Sequence, residues 1–241
     1  MADWSKERGV ADEIHIDQFI ATVGGERVDQ RFPNAAFPNA DYIFANEKVL
    51  IELKVLETEF GDTDALKARE ARLMREVAQK FSVGAILRGE SKFKRYWAEA
   101  RWNHYRVPLG RITEKANRQL RETKAALGED GYRGLLWLVN DNFRGIGTDL
   151  ALGLLLSTVG HRNPHVDGLV YVTNHYVDFP GDDFARLVWA PAYAEGVSQD
   201  LVDFVDRLGA AWFQFQEGVI GQMDDRQSGP DISLRGARPI V

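Results

Sequence analysis

The chain contains no cysteine at all. That excludes disulfides, thiolate nucleophiles and cysteine metal sites, so any bound metal must take oxygen or histidine ligands. It also lacks a long apolar run: the best candidate, "LALGLLLSTVG", falls well short of the roughly 20 residues that span a bilayer. The first residues, "MADWSKERGVADE", carry no signal-peptide apolar region, and a cytoplasmic protein is the expectation. No phosphate loop is present, because "FRGIGTD" lacks the Lys-Ser/Thr ending and does not match the dinucleotide fingerprint. Nothing resembles a Gly-x-Ser-x-Gly nucleophile elbow. There is no internal repeat and no low-complexity linker.

What is present fits one fairly large domain of 241 residues with an ordinary hydrophobic fraction of 44% and a charged fraction of 27%. The net charge of −6 argues against a protein that coats nucleic acid with its whole surface. The charge is uneven, however. Between Lys67 and Lys124 basic residues outnumber acidic ones by more than two to one, so a locally basic face is compatible with the acidic total.

Periodicity divides the chain into helices and strands. Ile16, Phe19, Ile20 and Val23 recur at helical spacing and end at Gly24–Gly25. "ERVDQRF" reads as a short first strand, and residues 41–56 as strands. Residues 64–81 and 91–105 read as two amphipathic basic helices. A third follows over 113–128, with Thr113 as N-cap and Gly128 as C-cap. Strand, helix and strand then alternate through "RGLLWLVND", "TDLALGLLLSTVG" and "HVDGLVYVTN", which predicts an α/β protein with a mixed central sheet flanked by helices. "FARLVWAP" suits an edge strand and "SQDLVDFVDRLGAAWFQFQ" a terminal helix. The tail from Asp224 onward reads as extended or mobile.

The stretch "NADYIFANEKVLIELKVLE" places three charged groups among strongly apolar residues. A hairpin turning at Asn46–Glu47 sets Phe44 opposite Val49, and in that register Asp41 faces Glu52. Tyr42, Phe44, Val49, Ile51, Leu53 and Val55 then share an apolar face, while Asp41, Glu52 and Lys54 project from the other. Opposed carboxylates destabilise a sheet unless something offsets them. A divalent cation does so, since Mg²⁺ takes one or two carboxylates and keeps several waters. The same residues also allow a solvated strand face on which Lys54 merely pairs with Glu52 or Asp41.

An acid near the start of one strand and "ELK" on the next resembles the signature of the PD-(D/E)XK nuclease superfamily. The resemblance implies a restriction-endonuclease-like core with a helical insertion. It also implies Mg²⁺ or Mn²⁺ held by Asp41, Glu52 and the Leu53 carbonyl, with Lys54 acting on the attacking water. A glutamate of the first helix often joins such sites; Glu13 is the candidate and Glu26 a weaker one. A glutamine on the helix after the hairpin implies Gln119. The core then covers 10–56 and 113–174, a basic insertion about 60–112, and an accessory part 175–241. The usual Pro before the Asp is absent, Pro38 standing three residues ahead. The implied activity is hydrolysis of phosphodiester bonds, with DNA the expected nucleic acid, leaving a 5′ phosphate. The main alternative is a catalytically inactive module of the same fold that binds nucleic acid or a protein partner. A homodimer or a specificity-giving partner is compatible with either.

Lys92, Lys94, Arg95, Arg101, Lys115, Arg118 and Arg121 are candidates for backbone phosphate contact. The aromatics among them, Phe93, Tyr96, Trp97, Trp102 and Tyr105, are expected in the core, not stacked on bases. Glu57, Glu59, Asp62 and Asp64 are expected to be a solvated loop, and His161, His165 and His175 are not expected to hold metal.

Overall fold

The computed structural model describes residues 3–33, 37–58, 64–128, 131–159, 162–223 and 233–240. The apolar runs become a six-stranded mixed sheet, as the alternation of strands and helices predicts. Its order is β1 (Glu26–Arg27), β2 (Tyr42–Phe44), β3 (Val49–Leu56), β4 (Arg133–Asn140), β5 (Gly168–Thr173) and β8 (Trp189–Tyr193). β1, β2 and β3 are antiparallel neighbours, β3, β4 and β5 run parallel, and β8 closes the far edge antiparallel to β5. β8 is the edge strand expected from "FARLVWAP". β4 and β5 are buried on both faces, which is why they read as continuous apolar runs and not as alternating ones.

One face of the sheet is covered by α1 (Glu13–Thr22) and the terminal helix α7 (Gln199–Ile220). Ile16, Phe19 and Ile20 of α1 meet Tyr42, Phe44, Val49 and Ile51 of the hairpin, and Leu201, Phe204, Leu208 and Trp212 of α7 complete the layer. Trp137 on β4 lies at its centre, edge-on to Phe19, Trp189 and Trp212 at 5.9, 5.4 and 5.2 Å. Gly209 permits this approach, because a Cβ there would fall 2.6 Å from the Trp189 indole nitrogen. α1 starts at Asp12, whose carboxylate accepts the His15 N–H at 3.0 Å, and stops at Gly24 with φ +85°.

The other face is covered by α5 (Ser91–Leu127) and α6 (Thr148–Leu156). Leu109, Ala116 and Leu120 of α5 pack with Ile43, Leu50, Leu136 and Leu138 of the sheet. α3 (Asp64–Lys80) and α4 (Val83–Arg88) precede α5, and Phe81 after α3 packs its ring 5.6 Å from Phe93 and 5.5 Å from Tyr96. Trp102 and Tyr105 join the sheet-side core, as expected, whereas Phe93, Tyr96 and Trp97 are half-buried and pack on Phe81 and one another outside it.

Three sequence expectations change. Residues 26–32 make only the two-residue β1 and then a single helical turn, α2 (Val28–Arg31). Helices 91–105 and 113–128 are one continuous 37-residue helix through Pro108, and Thr113 is not its N-cap. Thr113 is instead buried, bonding the Leu109 carbonyl at 3.2 Å and the Thr158 hydroxyl at 2.8 Å. The expected break between insertion and core at 112–113 therefore falls inside a helix. Finally, the tail contributes β9 (Arg238–Pro239) to a second, three-stranded sheet with β6 (Val177–Asp178) and β7 (Ala185–Arg186). No helix among the described residues is long and apolar enough to cross a membrane.

The continuity of α5 has a physical cause. Proline cannot donate to the carbonyl four residues back, here that of His104, and its ring crowds that carbonyl. Arg69 of α3 supplies the missing donors, reaching the His104 carbonyl at 3.4 Å and the Asn103 carbonyl at 3.2 Å. Arg69→Ala is therefore expected to lower stability by about 1 kcal/mol. In a Pro108→Ala background, where residue 108 regains its N–H, the same change is expected to cost clearly less. Equal costs in a urea-denaturation double-mutant cycle would refute the link between the two residues.

Candidate active site

The hairpin forms in the expected register, with Phe44 facing Val49, Ile43 facing Leu50 and Tyr42 facing Ile51. Lys48, at φ +54°, closes its four-residue turn. Asp41 lies one residue before β2, where the ladder departs from strict alternation. Its N–H donates to the Ile51 carbonyl at 3.1 Å instead of continuing the register. Its carboxylate crosses the gap, Oδ2 accepting the Leu53 N–H at 2.7 Å. Asp41, Glu52, Leu53 and Lys54 are thus brought together, and Leu53 meets Asp41 through its amide.

Glu52 is fully buried, at 0% exposure. β3 is paired on both sides, to β2 and, through Glu52 opposite Leu136, to β4, so Glu52 cannot swing toward solvent. Lys54, two residues along, donates to Glu52 Oε1, while Oε2 has no hydrogen-bond partner among the described residues. Burial and, after it, the neighbouring Asp41 charge together push the Glu52 carboxyl up to about 8 against the opposing pull of Lys54 and Lys115. Burial also raises Asp41, in spite of the Leu53 amide and the Lys54 charge. The pair therefore holds a proton at neutral pH in the absence of a cation.

This arrangement suits a hard divalent cation. Two carboxylates of one strand pair meet, one of them bears an unpartnered buried oxygen, and an Mg²⁺ ion needs no more protein ligands than that. Among the described residues no group of three or more acids and histidines converges. Glu13 is 70% exposed and bonded to Arg27 at 3.0 Å, although its charge, like that of Arg27, is felt at Asp41. Glu26 pairs with Arg31 at 3.0 Å. Glu57 is exposed, Glu59 and Asp62 lie outside the described residues, and so does His161.

Gln119 reaches the segment ahead of Asp41, its amide nitrogen donating to the Asn39 carbonyl at 2.9 Å, with Oε1 buried and unpartnered. One turn on, the Thr123 hydroxyl accepts the Ala40 N–H at 2.7 Å. The two bonds clamp residues 39–40 to α5 and so fix where Asp41 begins. Lys115, Arg118 and Arg121 are exposed on the same half of α5, and Lys92, Lys94 and Arg95 are exposed at its start. Nothing is described of the Arg101 side chain.

Sequence reasoning missed Asp17 and Arg27. Arg27 bridges Glu13, Asp17 and Asp29 at 3.0, 2.9 and 3.2 Å, and Asp17 also accepts the Tyr42 hydroxyl at 2.8 Å. The Arg27 charge is felt at Asp41. The spacing of four between Glu13 and Asp17 on α1 was the available signal, since it sets both acids on one helical face.

No protein-family model, curated protein or solved structure matches this chain. Function therefore rests on the site.

The buried Glu52 carboxyl has a direct consequence for stability. Its folded pKa of about 8 exceeds the ordinary 4.5, so the folded state binds the extra proton between those values. The stability it contributes is fully present below pH 4.5 and lost as pH rises through about 8. Glu52→Gln, which keeps the shape without the charge, is expected to flatten that slope. In metal-free buffer above pH 8 it should be more stable than wild type by at least about 1 kcal/mol. A variant that tracks wild type across denaturation curves from pH 5 to 9 would show Glu52 ionised throughout.

Proposed function

We infer that this chain is a divalent-metal-dependent nuclease of the PD-(D/E)XK type, hydrolysing phosphodiester bonds of nucleic acid, DNA foremost. The observation that carries the reading is Glu52: a sealed carboxylate with an orphaned oxygen, beside a second carboxylate and a lysine. Such a group is costly in a purely structural role. The order of elements supports it: a helix, α1; the strands β1 to β3 with the acid at the start of β2 and Glu-Leu-Lys on β3; then α5 and β4.

Asp41 and Glu52 would hold Mg²⁺ or Mn²⁺. Bound there, such an ion lowers the pKa of water and offsets charge on the phosphoryl oxygens. Lys54 is placed to hold the attacking water and to donate to an oxygen that gains charge as the phosphorus is attacked. Water would add to phosphorus in line with the bond to the 3′ oxygen while giving up a proton to solvent, that bond would break with the 3′ oxygen taking up a proton to leave as a hydroxyl, and the 5′ phosphate would remain on the product. Gln119 acts as a positioning residue, through Asn39 and the start of β2. Glu13 has no direct role on this reading, because Arg27 engages it.

One observation favours the alternative, a binding module that does not cut: Lys54 bonds to Glu52 itself and the first-helix acids are turned to Arg27. The two readings separate on a panel of linear and circular duplex, single-stranded DNA and RNA, with Mg²⁺, Mn²⁺ or EDTA. The nuclease is expected to cut at least one substrate with metal and none with EDTA. Lys54→Ala should lower the rate by about a hundredfold or more at unchanged fold. Metal-independent or Lys54-independent cutting, or none, sinks the catalytic reading.

Metal binding gives a second measurement. Mn²⁺ at a hundred times its dissociation constant is expected to stabilise wild type by about 2.7 kcal/mol. Asp41→Asn and Glu52→Gln should abolish that shift in a thermal melt. Equal shifts in all three would place the ion elsewhere.

A further inference from the structure

α5 carries a second feature on the side away from the sheet. Asn103, Arg106, Arg111, Arg162 and Asn163 line an open hollow of about 270 Å³, with Glu114 as its one acid. Among the described residues Arg106, Arg111 and Arg162 make no hydrogen bond or ion pair. Basic residues farther along are matched, Arg121 with Glu122 at 2.6 Å and Lys124 with Asp167 at 3.0 Å. Three guanidinium groups against the single carboxylate of Glu114 leave an excess of positive charge, which an anion offsets. The hollow is slightly smaller than a drug-sized pocket, and its walls are forked donors and amides instead of apolar rings. That chemistry fits a phosphate group.

The hollow extends along α5 toward the candidate active site. A second open depression of about 310 Å³ shares Arg111 and Glu114 with it and adds Lys115 and Arg118. The Lys115 charge in turn acts on Glu52. From Lys115 back to Val107, which also lines the hollow, α5 rises about 12 Å, the axial span of about three nucleotides in a duplex strand.

We propose that the hollow formed by Arg106, Arg111 and Arg162 binds a backbone phosphate of the same nucleic-acid strand that crosses Asp41 and Glu52, a few nucleotides from the bond to be cut. The proposal rests on the nuclease reading and extends it to how the strand is held. Lys115 and Arg118 form the track between the two points. Because these contacts read phosphate alone, they supply affinity and register without sequence preference.

Gly110 on the floor of the hollow offers a clean test. A Cβ there meets only the Thr158 Cγ2, at 3.8 Å, so Gly110→Glu places a carboxylate in the hollow without disturbing packing. Binding of labelled single-stranded and duplex DNA of about 12 nucleotides is followed by anisotropy in EDTA, where no cutting intervenes. Gly110→Glu and the pair Arg106→Ala/Arg162→Ala are each expected to weaken binding about tenfold or more. The slope of log affinity against log salt should fall by about one to two. Arg88→Ala, an exposed basic change on α4, should leave both unchanged. Wild-type affinity in the hollow variants overturns the proposal and leaves the nuclease reading intact if metal-dependent cutting persists. Loss of binding in those variants, by a wild type that does not cut, supports the hollow and ends the nuclease reading. A wild type that binds neither DNA overturns the proposal.

Discussion

A carboxylate with no access to water stands on β3, and the surrounding elements are arranged around that placement. Ladder pairing on both sides of β3 holds the Glu52 backbone rigidly, and α5 lies over its side chain. Three responses to the burial are visible. The carboxyl keeps its proton to about pH 8, Lys54 donates to one oxygen, and Lys115 adds a more distant positive charge. The other oxygen remains without a partner. A fully apolar residue of similar size would avoid all of this, as Leu50 does two positions earlier on the same face. The proposal of a bound cation rests on that retained ionisable group.

α5 connects that charge to everything else proposed for the molecule. Its inner face builds half the core through Leu109, Ala116 and Leu120. One flank clamps residues 39–40 through Gln119 and Thr123 and so sets the position of Asp41. The outer face carries Arg106, Arg111, Lys115 and Arg118. A break at Pro108 would separate the hollow from the clamp and let the two drift. The Arg69 side chain, by donating to the His104 carbonyl that Pro108 cannot reach and to the Asn103 carbonyl before it, helps keep them on one rigid rod.

Local signals were enough for the elements that local chemistry determines. α1 was readable from Ile16, Phe19 and Ile20 and its glycine stop, and the hairpin from its alternation. β4 and β5 were readable from apolar runs that only a sheet covered on both faces accommodates. The hairpin register also brought Asp41 near Glu52, although the departure of the Asp41 amide to Ile51 was not foreseeable. Elsewhere the deciding partner lies far along the chain. Thr113 reads locally as a cap, and only its distant partner Thr158, with Arg69 beside Pro108, reverses that reading. β6, β7 and β9 are two residues each and exist through pairing between distant segments. Glu13 had the right position on its helix but a different partner, since nothing near it in sequence announces Arg27.

That last partner shapes the charge of the proposed site. With Glu13 and Asp17 engaged by Arg27, the groups left beside β3 are Asp41, Glu52 and Lys54. While Glu52 is protonated, Asp41 and Lys54 balance and the site is neutral. When a divalent cation displaces the proton, two carboxylates face a lysine and a double positive charge, and the site carries one net positive charge. A phosphodiester carries one negative charge. A third ionised carboxylate would cancel the excess before substrate arrived and weaken the field that draws and holds the phosphate. On the proposed reading Arg27 offsets part of the α1 charge beside the site, and the arginines of the hollow, which make no ion pair among the described residues, add positive charge outward from it.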